Sequence, residues 1–244
     1  MAAAPAVEPV YRLKSVQEQE QFTSEKGELL FTWCYQTLEL EIVNLSELTG
    51  QGLYCAQRNR ENFNEEMREG SARARASSRQ VAESASLAAE QGYLGSEYID
   101  ETTTTAVFQG QVISVRADNY NYFGGAHPKR HSASFIFDLG TGQFVDPAAL
   151  ADDPAAFQRN VAMLLIGKVE EDAELLANCW TDYADTLFGW NEEAAVFISG
   201  DGVTVHYSPY DLAPYAVGDV EFTFSWQELA LLLGRGGMDK LGLT

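Results

Sequence analysis

The sequence is short of positive charge. Its 244 residues carry 16 Lys and Arg against 36 Asp and Glu, a net charge of −20. A nucleic-acid partner needs Lys and Arg clustered along a phosphate track, so that class is excluded. The one basic group, Arg68, Arg73, Arg75 and Arg79, is interleaved with Ala and Ser and reads as the solvated face of a helix. No run of about 20 apolar residues exists, so nothing in this sequence is expected to span a membrane. The opening MAAAPAVEPV has neither the charged nor the apolar region of a signal peptide. We read it as a linker, with a signal or anchor expected upstream. There are three cysteines, Cys34, Cys55 and Cys179, and no CxxC pair, which excludes a zinc knuckle or a thioredoxin-type motif. One disulfide with one free thiol stays open; three buried thiols is the preferred reading.

Catalytic signatures are also scarce. The chain has no GxSxG elbow and no SxxK. Cys179 precedes Trp180, but nothing in the sequence links it to a histidine. His206 stands between Val205 and Tyr207 on the opposite strand parity and reads as a surface or edge histidine. The Asp152-Asp153 pair fits helix capping, and Glu170 to Asp172 fits a solvated helix face, so no carboxylate pair stands out for hydrolysis. GRGGMDK at 234–240 has the wrong spacing for a phosphate loop. No cofactor is expected.

What is present builds a core, with 45% apolar residues. ELLFTWCYQTLELEIV (28–43) is a strand, with Leu38, Leu40 and Ile42 alternating with Glu39 and Glu41. From Leu45 to about Gln91 the spacing of Leu53, Ala56, Arg60, Phe63 and Met67 is helical, and Gly70 is expected to bend or divide that helix. QGYLGSEY from Gln91 holds glycines that end it. Strand composition returns over 102–118, with a turn or bulge at Gln109-Gly110. In 132–145, Ala133, Phe135, Phe137 and Leu139 face one way and Ser132, Ser134 and Asp138 the other, before a Gly140-Thr141-Gly142 hairpin. Asp153 and Pro154 open a helix with the stripe Phe157, Val161, Leu164 and Leu165. A second helix is expected over 172–187, and a hairpin about Gly200-Asp201-Gly202. A strand with Val220, Phe222, Phe224 and Trp226 inward comes next, then a helix from WQELALLL and a loose tail. Strands cluster in hairpins, so the predicted class is α+β: an antiparallel sheet packed against helices, including one long N-terminal helix.

One loop stands apart. NYNYFGGAHPKRHS (119–132) holds His127 and His131 at the four-residue spacing of a helical metal motif. Gly124, Gly125 and Pro128 argue against a helix there, and the candidate third ligands Asp118 and Asp138 lie beyond strand residues. No metal site is expected. The preferred reading is a turn, with Gly124 and Gly125 free to take positive φ and Pro128 fixing the exit.

The order of motifs is itself informative. Gly124–His127, then Phe137–Gly142 (FDLGTG), then Pro209–Gly218 (PYDLAPYAVG) resemble the extracytoplasmic domain shared by RsiV-type anti-sigma factors and PdaC-type peptidoglycan deacetylases. The resemblance covers about 105–232, and more loosely the strand and helix before it. It implies one α+β unit over 10–235, made of an N-terminal strand-and-helix segment (10–104) and a C-terminal domain (105–235), with flexible ends at 1–9 and 236–244. It also implies an exported, non-catalytic binding or sensing domain, anchored at the cell envelope, as in a lipoprotein. The implied partner is a cationic protein such as lysozyme, or peptidoglycan. The candidate contact residues are Tyr120, Tyr122, His127, Lys129, Arg130, His131, Tyr210 and Tyr215, with Gly142 and Gly218 joining Gly124, Gly125 and Pro128 as turn formers. A glycan-modifying enzyme, deacetylase or hydrolase, using His127 and a carboxylate is the alternative, and a purely structural module is a third.

Overall fold

The computed structural model describes residues 7–90, 98–123 and 126–244. The first six residues of the expected lead (1–9), the glycines at 91–97 and the Gly124-Gly125 turn lie outside these residues.

The chain opens with a hairpin of β1 (Tyr11–Thr23) and β2 (Leu29–Ile42), antiparallel and in register from Tyr11–Ile42 to Phe22–Phe31. Gly27, at φ +80, makes the turn, and the Ser24 hydroxyl accepts from the amides of Lys26 and Glu28. The helix α1 (Gly50–Glu90) follows. Among its described side chains Ala56, Asn59, Phe63, Met67, Ser71 and Ser78 are buried, a stripe at helical spacing. Gly70 is expected from the sequence to bend or divide this helix; it does not divide it. A mid-helix glycine costs only about 1 kcal/mol, and contacts along β2 outweigh that. The Asn64 amide accepts from Leu40 N at 2.7 Å and donates to Leu40 O at 3.2 Å, closing an otherwise open edge.

The next strand, β3 (Tyr98–Gln109), pairs with β2 in parallel along Phe31–Tyr35. Parallel neighbours need a long crossover, and α1 supplies it; the expected antiparallel sheet therefore contains a parallel junction. Then come β4 (Val112–Tyr122), β5 (Lys129–Asp138) and β6 (Gln143–Val145), giving the hydrogen-bonded order β1-β2-β3-β4-β5-β6. Helix α2 (Pro154–Glu171) begins as expected, the Asp153 carboxylate accepting from Ala156 N at 3.0 Å. Phe157, Val161 and Leu165 are buried, but Leu164 is exposed. The single helix expected over 172–187 is broken into α3 (Ala173–Asn178) and α4 (Tyr183–Phe188), with α5 (Trp190–Glu193) after Gly189. Trp180 pulls the chain out of the helix: its amide donates to Leu212 O and its indole to Tyr210 O.

A second sheet, β7 (Ala195–Ile198), β8 (Gly202–Tyr207) and β9 (Val220–Ser225), is antiparallel throughout. Val220, Phe222 and Phe224 are buried as expected. Trp226 instead begins α6 (Trp226–Lys240), capped by a reciprocal Ser225–Glu228 box.

The chain divides into two compact units. The first is Met1–Thr104 with Tyr120–Pro128 and Thr141–Gln143; the second is Thr105–Asn119, Lys129–Gly140 and Phe144–Thr244. In the first, Leu30, Phe31 and Trp33 pack with Phe22, Tyr35, Tyr98 and Phe123. In the second, α2, the three-stranded sheet and α6 share one core around Leu165, Trp190, Tyr207 and Phe224. Val196 N donates to the Ser134 hydroxyl at 2.5 Å and Ile198 N to the Ser114 hydroxyl at 2.9 Å. Two serines from β4 and β5 thus satisfy amides along β7. The sequence alternation sets Ser134 and Asp138 on the face opposite Ala133, Phe135, Phe137 and Leu139. That face, which also carries Ile136, is turned inward, and Asp138 is 2% exposed. The reason is the C-terminal segment. Lys240 Nζ lies 3.0 Å from Asp138 Oδ2, Lys240 O accepts from Gln111 N and Leu241 O from Gln109 Nε2, each at 2.7 Å. Leu241 is fully buried. The segment expected to be a loose tail is docked through these contacts. Gly110, at φ +56, makes room for it: a Cβ there would stand 2.4 Å from both Leu241 C and Lys240 O. No described helix is long and apolar enough to cross a membrane.

Candidate binding site

The second unit holds a cavity of about 360 Å³ beside β5, β6 and α5. Alternation along β5 puts His131 at its rim and Phe135 on its wall, and Phe144 of β6 meets Phe135 edge-on at 6.3 Å. Asp146, Glu192 and Glu193 supply three carboxylates. Asp146 is held firmly, because Ala148 N donates to one oxygen at 2.7 Å and Asn191 Nδ2 to the other at 2.8 Å. Asn191 is in turn fixed by Gln158 at 2.7 Å, and the Trp190 indole donates to Gln158 O. The arrangement sets an apolar wall beside three carboxylates, of which Asp146 is anchored. Such a site suits a cationic head on an aliphatic stem, because the stem meets the rings while the head meets carboxylates.

A second group of charges adjoins Glu193. Asp211 Oδ2 accepts from Ser208 N at 2.7 Å, and Ser208 Oγ accepts from Ser132 N at 3.0 Å. Burial pushes the Asp211 carboxyl above the usual range; the Ser208 hydrogen bond, His131 and His206 oppose that rise, and Glu193 adds to it. Tyr207 is fully buried, and among the described residues no hydrogen bond reaches its hydroxyl. Burial, with Glu193 and Asp211 nearby, raises its pKa. The sequence placed His206 at a surface or edge; the structure buries it to 3% exposure. It lies on the middle strand of a three-stranded sheet, covered on both faces. Its Nδ1 is 2.9 Å from Glu221 Oε1, its partner in the β8–β9 register, while Nε2 lies 3.4 Å from Asp219 Oδ1 without hydrogen-bond geometry. Arg116 stacks over Phe197 at 4.1 Å and holds Asp118 at 2.7 Å.

The expected contact residues are dispersed. Tyr120 (exposed), Tyr122, His127 and Pro128 fall in the first unit, and His127 Nδ1 is 3.0 Å from Pro128 O. Lys129, Arg130 and His131 are exposed at the start of β5 in the second. Tyr210 and Tyr215 come together, ring centroids 5.7 Å apart, with Tyr210 at a positive φ of 80°. Gly142 and Gly218 do take positive φ. Cys34, Cys55 and Cys179 are free and half-buried. Of the sequence candidates only His131 lines the cavity. Among the described residues no group of three His, Cys, Asp or Glu could hold a metal. The carboxylates at 146, 192 and 193 carry no sequence signal, since their convergence depends on α5 folding against β6.

Residues 166–227 match the family model DUF3298, a protein of unknown function. That stretch runs from the end of α2 to the start of α6 and contains Glu192, Glu193, His206, Tyr207 and Asp211. No curated protein matches the chain. Two solved structures are similar. One is a DUF3298 family member from Bacteroides fragilis NCTC 9343, with TM-score 0.59 and 15% identity over 96% of this chain and 97% of that one. The other is a DUF3298 family protein from Pseudomonas aeruginosa PAO1, with TM-score 0.51 and 16% identity over 90% and 93%. At this identity the likeness concerns the fold.

Proposed function

We propose that the chain is a non-catalytic, exported binding module that recognises a basic protein at the cell envelope. The observation that carries this reading is the set of three carboxylates, the anchored Asp146 with Glu192 and Glu193, beside a Phe135–Phe144 wall. A Lys or Arg side chain fits that chemistry. The net charge of −20 supports it, because a strongly acidic protein speeds encounter with a basic one at low salt. The resemblance to the RsiV-type domain makes lysozyme the first candidate partner, and peptidoglycan the second.

The test is calorimetry of the intact chain against lysozyme and against soluble peptidoglycan fragments, at low and at physiological salt. We expect binding to lysozyme that weakens steeply with salt. The Glu192→Gln/Glu193→Gln pair should weaken it about tenfold with an unchanged melting curve. Absence of binding to lysozyme at low salt refutes that partner; equal binding by the double variant removes the cavity from the interface.

A further inference from the structure

The first unit carries a feature unrelated to this cavity. Strand β1 ends the six-stranded sheet, with β2 on one side only. Val43 N donates to Val10 O at 2.7 Å, which fixes the hydrogen-bond parity of the hairpin. Even-numbered β1 residues turn their backbone groups toward β2. Leu13, Ser15, Gln17, Gln19 and Gln21 turn theirs outward. Among the described residues no hydrogen bond reaches those outward groups. The edge contains no proline, and the pairing stays regular until the shift at Phe22/Thr23. A long regular edge of this kind is a template for another strand.

We infer that the occupant is a second copy of the chain, its β1 antiparallel to the first and centred on Val16. The charge pattern selects this register. A two-fold axis at Val16 sets Arg12 opposite Glu20 of the second copy and Lys14 opposite Glu18. It also pairs odd residues with odd ones, as the outward parity demands: Leu13 with Gln19, and Ser15 with Gln17. An axis at residue 15 or 17 does not align both ion pairs. Arg12 and Lys14 already meet Glu41 and Glu39 within the hairpin, and Glu20 meets Arg75 and Arg79. The association therefore extends rows of alternating charge across three strands, Glu41–Arg12–Glu20 and Glu39–Lys14–Glu18, the first of which continues to Arg75 and Arg79 of α1. Opposite charges at facing positions stabilise strand pairs, and like charges destabilise them. The net charge of −20 per copy opposes association at low ionic strength. Near physiological salt the Debye length is about 8 Å, and neighbouring pairs dominate.

The experiment is sedimentation velocity of the intact chain over a concentration series at physiological salt. We expect a reversible dimer. Gln17→Pro removes one outward N–H at a position where an edge strand tolerates proline; it should abolish the dimer and leave circular dichroism unchanged. Arg12→Glu/Lys14→Glu should weaken association about tenfold, and adding Glu18→Lys/Glu20→Lys should restore it. Val16→Cys should cross-link to itself under mild oxidant, at a position the peptide map identifies. A monomer at every concentration overturns the inference. So does a dimer that survives Gln17→Pro and is indifferent to the charge reversal, or a complex that forms only with an added partner.

Discussion

Substituting Gly110 by Ala tests how the second unit holds its C-terminal segment. The first cost is conformational, about 1 kcal/mol for placing an L side chain at positive φ. The second is steric. The new methyl would meet main-chain atoms of Lys240, Leu241 and Gly242 at 2.4 to 2.6 Å, and main chain cannot swing aside as a side-chain end can. The segment must leave. Leu241 then returns from full burial to water, about 1.5–3 kcal/mol. The bonds from Gln111 N and the Gln109 amide are lost, about 0.5–1.5 kcal/mol each. Asp138, 2% exposed, loses its ion pair with Lys240. The expected loss is about 3 kcal/mol or more, measured by urea denaturation from the midpoint and slope. A double-mutant cycle with Leu241→Ala isolates the mechanism. Once Leu241→Ala has weakened docking, Gly110→Ala should cost little beyond the conformational 1 kcal/mol or so. Strict additivity of the two changes, or a single-variant loss no larger than about 1 kcal/mol, would refute the docking account.

Two further outcomes are expected. Ser225→Ala removes the hydroxyl that caps α6 and accepts from Glu228 N; thermal or urea melts should show a loss of about 1 kcal/mol. Asp211 has its pKa raised in the folded chain, by burial first. The folded state then keeps this proton over an interval where the unfolded state has lost it, so the Asp211 contribution to stability falls as pH rises through that interval. Asp211→Asn should therefore gain on the parent chain between acid and neutral pH, and a pH series of melts reads the difference. A difference that is flat or of opposite sign contradicts the assignment.

The parts of the fold that were legible were those with a local cause. Alternation at Leu38 and Leu40 marked β2, Asp153-Pro154 marked the start of α2, and Gly140–Gly142 marked a hairpin. The parts that were missed depend on distant partners. β1 is a run of Gln and Glu whose strand conformation comes from pairing with β2. Asp138 is buried because a lysine about a hundred residues later reaches it. His206 looked solvated from its neighbours, since strand parity does not say that both faces of β8 are covered. The cavity was visible only through His131. Its three carboxylates come from two elements, and no spacing rule joins them.

The serine contacts to β7 change how the second unit can vary. A ladder of carbonyls ties two strands to one spacing and one register, so a shift of a single residue breaks every rung. A hydroxyl rotates to suit its donor. Ser114 and Ser134 therefore act as swivels: they satisfy two amides of β7 without fixing that strand to β4 and β5 by a backbone ladder. Sequence change in either sheet can then be absorbed as a small rotation at the joint, provided two short hydroxyl side chains remain where they are.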